Sequence, residues 1–164
     1  MRSGLAVVLL TFLAQSVGAQ NVTAPLDEGV KPEARADLVR TGSRTSLQLG
    51  GGVQIPAGYY ARVGILGSVA VMANGGRADR GRLDVTGRFL LDPFRQSRWG
   101  LSAGAGLSIR VPDGIDGGPK PYLLAVVDLE GPRSASGISP AFQIGLGGGL
   151  RIGAALRWGG VRAR

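Results

Sequence analysis

The stretch Trp99-Gly100-Leu101-Ser102-Ala103-Gly104-Ala105-Gly106-Leu107-Ser108-Ile109-Arg110-Val111 decides how this chain is read. Apolar residues occupy every odd position, and Gly, Ser and Arg occupy every even one. Side chains alternate between the two faces of an extended strand, so this period puts all the apolar groups on one face. The other face is small and polar. It differs from an ordinary wetted surface, which would carry many Lys and Glu.

The pattern continues on both sides. Towards the N-terminus, Leu83, Val85, Phe89 and Leu91 alternate with Arg82, Asp84, Thr86, Arg88 and Asp92. Before them, Tyr59, Ala61, Val63, Ile65, Val69 and Val71 alternate with Tyr60, Arg62, Gly64, Leu66, Ser68 and Ala70. Leu47, Leu49, Val53 and Ile55 alternate with Gln48, Gly50, Gly52 and Gln54. Towards the C-terminus, Leu123, Ala125, Val127 and Leu129 oppose Tyr122, Leu124, Val126 and Asp128. The last run sets Phe142, Ile144, Leu146, Leu150, Ile152, Ala154, Leu156 and Trp158 against Gln143, Gly145, Gly147, Gly149, Arg151, Gly153, Ala155 and Arg157. The segments between runs are rich in Gly, Pro, Asp, Asn and Ser, as in Pro56-Ala57-Gly58 and Ala73-Asn74-Gly75-Gly76, which is turn chemistry. Short links make neighbouring strands antiparallel, so the fold class is all-β, an up-and-down meander.

Composition narrows the chemistry. The 164 residues include 29 Gly but no Cys and no His, with a formal net charge of +8. Disulfides, thiolate metal sites, histidine ligands and histidine-based catalysis are excluded. The cations are spread singly, without a basic cluster or a stacking platform, so nucleic acid is not expected as a partner. No cofactor is implied. Asp113-Gly114-Ile115-Asp116-Gly117 lacks the acidic spacing of a calcium loop and reads as a solvated turn.

The N-terminus reads as a targeting segment. Arg2 precedes the apolar run Gly4–Ala14, and Val17-Gly18-Ala19 offers small residues for cleavage, the layout of a signal peptide over residues 1–19. Residues 20–44 read as a charged, partly disordered lead-in, and residues 45–164 as the β domain.

Strands with one greasy face and one small polar face fit a transmembrane β-barrel. In lipid every backbone N–H and C=O must be paired, and a closed sheet achieves that with strands of roughly 9 to 11 residues. The apolar face would meet lipid, and Arg62, Arg82, Asp84, Arg88, Arg110, Asp128, Arg151 and Arg157 would form ion pairs in the lumen, where glycines leave them room. Tyr59, Tyr60, Trp99, Tyr122 and Trp158 lie near run ends, where interfacial aromatics belong. Strand number stays open between six and eight. Eight requires Glu33–Thr41 as a first strand and Gly147-Gly148-Gly149 as a three-residue loop, since the alternation keeps its phase across it. Both termini would then lie in the periplasm, with longer links outside and shorter ones inside.

Arg151, Gly153, Leu156 and Trp158 match the spacing of the C-terminal β-signal of bacterial outer-membrane proteins, although six residues follow the aromatic. From Thr45 onward the chain resembles small bacterial outer-membrane barrels of the OmpA-transmembrane type. The resemblance implies an outer-membrane location and recognition of the last strand by the barrel-assembly machinery. It also brings in barrel enzymes that act on lipid A or peptides, but their chemistry rests on a histidine this chain lacks. A non-enzymatic barrel, structural or with a narrow pore, is therefore the leading expectation. Outer-membrane lipid is its partner, with lipopolysaccharide phosphate opposite Arg77, Arg80, Arg95 and Arg98. The alternative is a secreted soluble β-sandwich or lipocalin-like binder, with the apolar face turned inward.

Overall fold

The computed structural model describes residues 29–74, 79–91, 98–112 and 118–159. The segments 1–19, 92–97 and 113–117, with Arg77, lie outside the described residues. Eight strands follow one another: β1 (Lys31–Thr41), β2 (Arg44–Pro56), β3 (Ala61–Asn74), β4 (Asp79–Leu90), β5 (Gly100–Pro112), β6 (Lys120–Glu130), β7 (Ile138–Leu146) and β8 (Leu150–Trp158). Each pairs antiparallel with the next, and β1 also pairs with β8, from Glu33 opposite Arg157 to Arg40 opposite Leu150. The meander therefore closes into a barrel without free edges.

The six-strand alternative is wrong. The run from Ile138 to Trp158 is two strands, folded back at Gly147-Gly148-Gly149, with Leu146 opposite Leu150. A three-residue loop returns the chain in the same phase, which is why the alternation crosses it unbroken. Gly148 adopts φ 66°, a conformation that side-chain-bearing residues rarely tolerate.

Two sequence expectations need correction. The barrel begins at Lys31, inside the segment assigned to the lead-in, because Lys31, Glu33, Arg35 and Asp37 alternate with Pro32, Ala34, Ala36 and Leu38 as a full strand. The alternation is weak to the eye because its outward side mixes Pro32, two Ala, Leu38 and Arg40, while Val39 falls on the inward side. The link lengths also differ from expectation. At the end opposite the termini, called here the far end, the links span 2, 4, 7 and 3 residues. At the terminal end they span 4, 9 and 7. Long links do not mark the far end.

The distribution of polarity is inverted relative to a water-soluble domain. Leu107 is 51% exposed while its neighbour Ser108 is fully buried. Val69, Phe89, Ile144, Leu146, Ile152 and Leu156 are likewise outside, whereas Arg35, Asp37, Arg82, Asp84, Asp128, Arg151 and Arg157 are buried inside. Eight strands leave an interior just wide enough for side chains to fill. The secreted sandwich or lipocalin-like alternative required the opposite sidedness and is overturned.

Candidate functional site: a charged lumen

Strand period two sends alternate residues inward, and these carry the polar chemistry. Among the described residues eight cations, Lys31, Arg35, Arg62, Arg82, Arg88, Arg110, Arg151 and Arg157, share the interior with five carboxylates, Glu33, Asp37, Asp84, Asp128 and Glu130. The cations exceed the carboxylates by three.

Near the terminal end the network centres on Arg157. Its Nη2 donates to Asp128 Oδ2 at 2.6 Å, its Nη1 to Asp128 Oδ1 at 2.7 Å, and its Nε to Glu33 Oε2 at 2.7 Å. The bidentate pair with Asp128 uses the planar fork of the guanidinium. Arg88 Nη1 adds a bond to Asp128 Oδ2 at 3.1 Å. Glu130 takes Arg62 Nη1 at 3.0 Å, Arg157 Nη1 at 3.2 Å and Lys31 Nζ at 3.4 Å. Gln54 Nε2 donates to Glu33 Oε2 at 2.5 Å.

A second group lies towards the middle of the barrel. Arg35 Nη2 donates to Asp37 Oδ1 at 2.7 Å, and Arg82 Nη2 to Asp37 Oδ2 at 2.7 Å. Arg82 Nε and Arg151 Nη1 both reach Asp84 Oδ2, the former at 3.2 Å. Gln143 joins the two groups, since its Oε1 accepts from Arg35 and Arg151 while its Nε2 donates to Asp128 Oδ2. Arg35 Nη1 reaches Glu33 Oε1 at 3.3 Å, a further link.

All eight charges picked from the sequence as lumenal face the interior. Arg82 with Asp84, Arg151 with Asp84, Arg88 with Asp128, and Arg157 with Asp128 come together as ion pairs. Arg62 bonds Glu130 instead of an Asp. Arg110 lies apart at the far mouth, 5.5 Å over the Tyr122 ring, and donates to the Gly148 carbonyl and to Thr41 Oγ1. Sequence reasoning missed Lys31, Glu33, Arg35, Asp37 and Glu130. The first four could have been found from their alternation with Pro32, Ala34, Ala36 and Leu38, and Glu130 from its phase with Asp128.

Inward glycines make room for this chemistry. A Cβ on Gly153 would collide with the Asp37 carboxylate and lie 3.0 Å from Arg35 Nη2. One on Gly145 would lie 3.2 Å from Arg151 Nε. What space remains is small: a cavity of about 10 Å³ bordered by Glu33, Arg35, Asp84, Thr86, Arg88 and Arg151. A polar hollow of this size takes one water. Asp84 Oδ1, Arg88 Nε and Arg151 Nε on its walls make no protein hydrogen bond, so they could share that water. Chemically the network fills and locks, since every lumenal carboxylate is bonded to at least one cation.

The four residues matching the β-signal lie on β8, the strand that closes the barrel. Arg151 and Gly153 face inward, while Leu156 and Trp158 face outward. Of the expected aromatic girdle, Tyr59, Tyr60, Trp99 and Trp158 do gather at the terminal end, where Tyr60 also stacks on Phe89 with ring centroids 6.0 Å apart. Tyr122 does not belong to a girdle, because it shares the inward phase of β6 and lies beneath Arg110. The far rim is cationic instead, with Arg40, Arg44, Arg80 and Lys120 exposed.

No family model matches this chain, and no curated protein matches it. Solved structures do. One, described as "De novo design of transmembrane beta-barrels", aligns with a TM-score of 0.53 at 12% identity, covering 79% of this chain and 95% of the other. Another, the solution NMR structure of the de novo designed TMB2.3, aligns with a TM-score of 0.53 at 12% identity, covering 83% and 98%. At this identity the likeness is one of fold: a closed, eight-stranded antiparallel barrel resembling transmembrane barrels.

Proposed function

We propose that this chain is a non-enzymatic outer-membrane barrel of a bacterial envelope, delivered by the signal sequence at residues 1–19, whose lumen is filled by its own ion pairs. Its role is structural, as a compact membrane-spanning element, and what remains of the lumen is too tight for solutes. The inverted polarity carries the reading: Leu, Val, Ile and Phe side chains ring the outside, and guanidinium–carboxylate pairs fill the inside. In water that exterior would drive aggregation, whereas in hydrocarbon it costs nothing. The aromatic terminal rim suits one membrane interface, and the cationic far rim suits anionic headgroups or lipopolysaccharide phosphate at the other. The β8 residues Arg151, Gly153, Leu156 and Trp158 fit a role in recognition by the assembly machinery.

The deciding experiment expresses the full chain and fractionates the envelope. Recovery in the outer-membrane fraction, with gel migration that shifts on heating, is the expected result. Spin labels should report lipid at Leu107 and a polar interior at Ser108. A chain released by carbonate, or labels with the reverse accessibility, would overturn the proposal.

A further inference from the structure

The far rim is not level. β7 and β8 have 9 residues each, whereas β2, β3, β4 and β5 have 13, 14, 12 and 13. The β6–β7 ladder ends at Ala125 opposite Leu146, while β6 continues to Lys120 along β5, where Lys120 still faces Arg110. Lys120–Leu124 therefore rise above the β7–β8 hairpin with no strand beside them on that side, and the wall is notched. At about 3.3 Å per residue on strands tilted by about 40°, the notch is roughly 10 Å deep. Leu123 marks the gap: it is 83% exposed, the highest value among the large apolar side chains described.

The notch is polar although the wall around it is apolar. The Leu123 carbonyl points into it, lying 3.0 Å from where a Gly147 Cβ would stand, and no strand pairs with it there. Pro121, whose backbone is turned to the same edge, has no N–H to offer. On the other flank Arg40 has the outward phase of β1, opposite Leu150, and is exposed. Arg110 lies across the inner side, over the Tyr122 ring, and donates to the Gly148 carbonyl and Thr41 Oγ1, so the recess belongs to the outer surface. On β5, beside the same part of β6, the outward residues Leu107, Ile109 and Val111 are all apolar. Hydrocarbon expels both unpaired backbone groups and outward cations. A missing N–H and a flanking cation also blunt the edge against an added strand, which leaves water and lipid headgroups to fill the notch.

We propose that the low wall over β7 and β8 is a membrane-thinning surface. It draws the headgroup layer of the adjoining leaflet, with its water, down into the notch as far as Leu123, while the bilayer keeps its full thickness beside β3, β4 and β5. This rests on the membrane reading above and adds to it a surface that contacts the polar layer of the lipid. The chain has no Cys, so Leu107→Cys and Leu123→Cys each take a single spin label. The two positions are paired across β5 and β6, so a bilayer of even thickness would treat them alike. With the full chain in phosphatidylcholine bilayers, a water-soluble nickel complex should reach the label at the Leu123 site roughly tenfold more than the label at the Leu107 site, and oxygen dissolved in the lipid should favour the latter. Lengthening the hairpin by Thr-Val after Leu146 and Val-Thr before Leu150 keeps the phase, rebuilds the wall, and should abolish the difference. Equal accessibility in the original hairpin, a Leu123-site label shielded from both reagents, or a difference that survives the longer hairpin overturns the inference. If the longer hairpin fails to give the heat-shifted form, the two single labels decide alone. A Leu107-site label reached by nickel and not by oxygen overturns the membrane reading itself, whereas lipid at both sites overturns only this inference.

Discussion

Arg157 shows what a single side chain does in this interior. It bonds Asp128 through two nitrogens and also reaches Glu33 and Glu130, so its removal takes a partner from three buried carboxylates, and Asp128 loses its bidentate one. Losing one partner of a buried ion pair typically costs about 3–5 kcal/mol. Arg157→Gln should therefore destabilise the folded barrel by about that much in urea titrations in lipid vesicles. Adding Asp128→Asn should recover part of the loss, and a purely additive double variant would argue against the pairing. Gly153 makes the complementary case. A methyl group there would press on the Asp37 carboxylate, and Gly153→Ala should cost about 1–3 kcal/mol in the same titration. At Gly67, on the outer face, the same added methyl meets nothing and should be nearly neutral.

At the scale of the element, phase governs the outcome. Gly147-Gly148-Gly149 returns the chain with Leu146 and Leu150 on the same outward side, and Gly148 has a positive φ. Deleting Gly148 leaves a two-residue loop. Residues paired across two strands share a face, so with Leu146 still opposite Leu150 the side chains of Arg151 and Arg157 stay inward, and the change is confined to the turn. The deletion variant should therefore still produce the heat-shifted form on gels, since the two remaining glycines suit a two-residue hairpin turn, and Gly148→Ala, which puts a side chain at positive φ, should produce it with reduced stability. β1 teaches the same lesson. Its alternation offered Glu33–Thr41 as a first strand of an eight-stranded barrel, but the outward side mixes Pro, Ala, Leu and Arg, and pairing with β2 and β8 decided it.

For the whole molecule, the lumen behaves as a plug with an excess of positive charge. Wild-type protein should show no steady conductance in planar bilayers, since the enclosed space among these charges holds about one water. Replacing Arg35, Asp37, Arg82, Asp84 and Arg151 together by Ser removes the middle group while leaving five cations against three carboxylates in the lumen. This variant should conduct and should prefer anions. A silent variant that still gives the heat-shifted form would mean that the terminal group alone seals the barrel.

The sequence by itself determined the class of fold and the two-faced character of its strands, while burial in the folded barrel decided which face is outside. Period-two alternation is a local property of the backbone, and a face of Leu, Val and Ile opposite one of Gly, Ser and Arg is visible without knowing which strands are neighbours. The loop at Gly147-Gly148-Gly149 was legible for the same reason, because phase is counted along the chain. Only the tertiary structure decided the pairings. Arg157 meets Glu33 across 124 positions of sequence, and Arg82 meets Asp37 across 45. Those contacts depend on barrel closure and on the stagger between strands, which no local pattern encodes. The diagonal of outward glycines at Gly67 and Gly81 was hidden for the same reason, since the two become neighbours only when β3 and β4 settle into register.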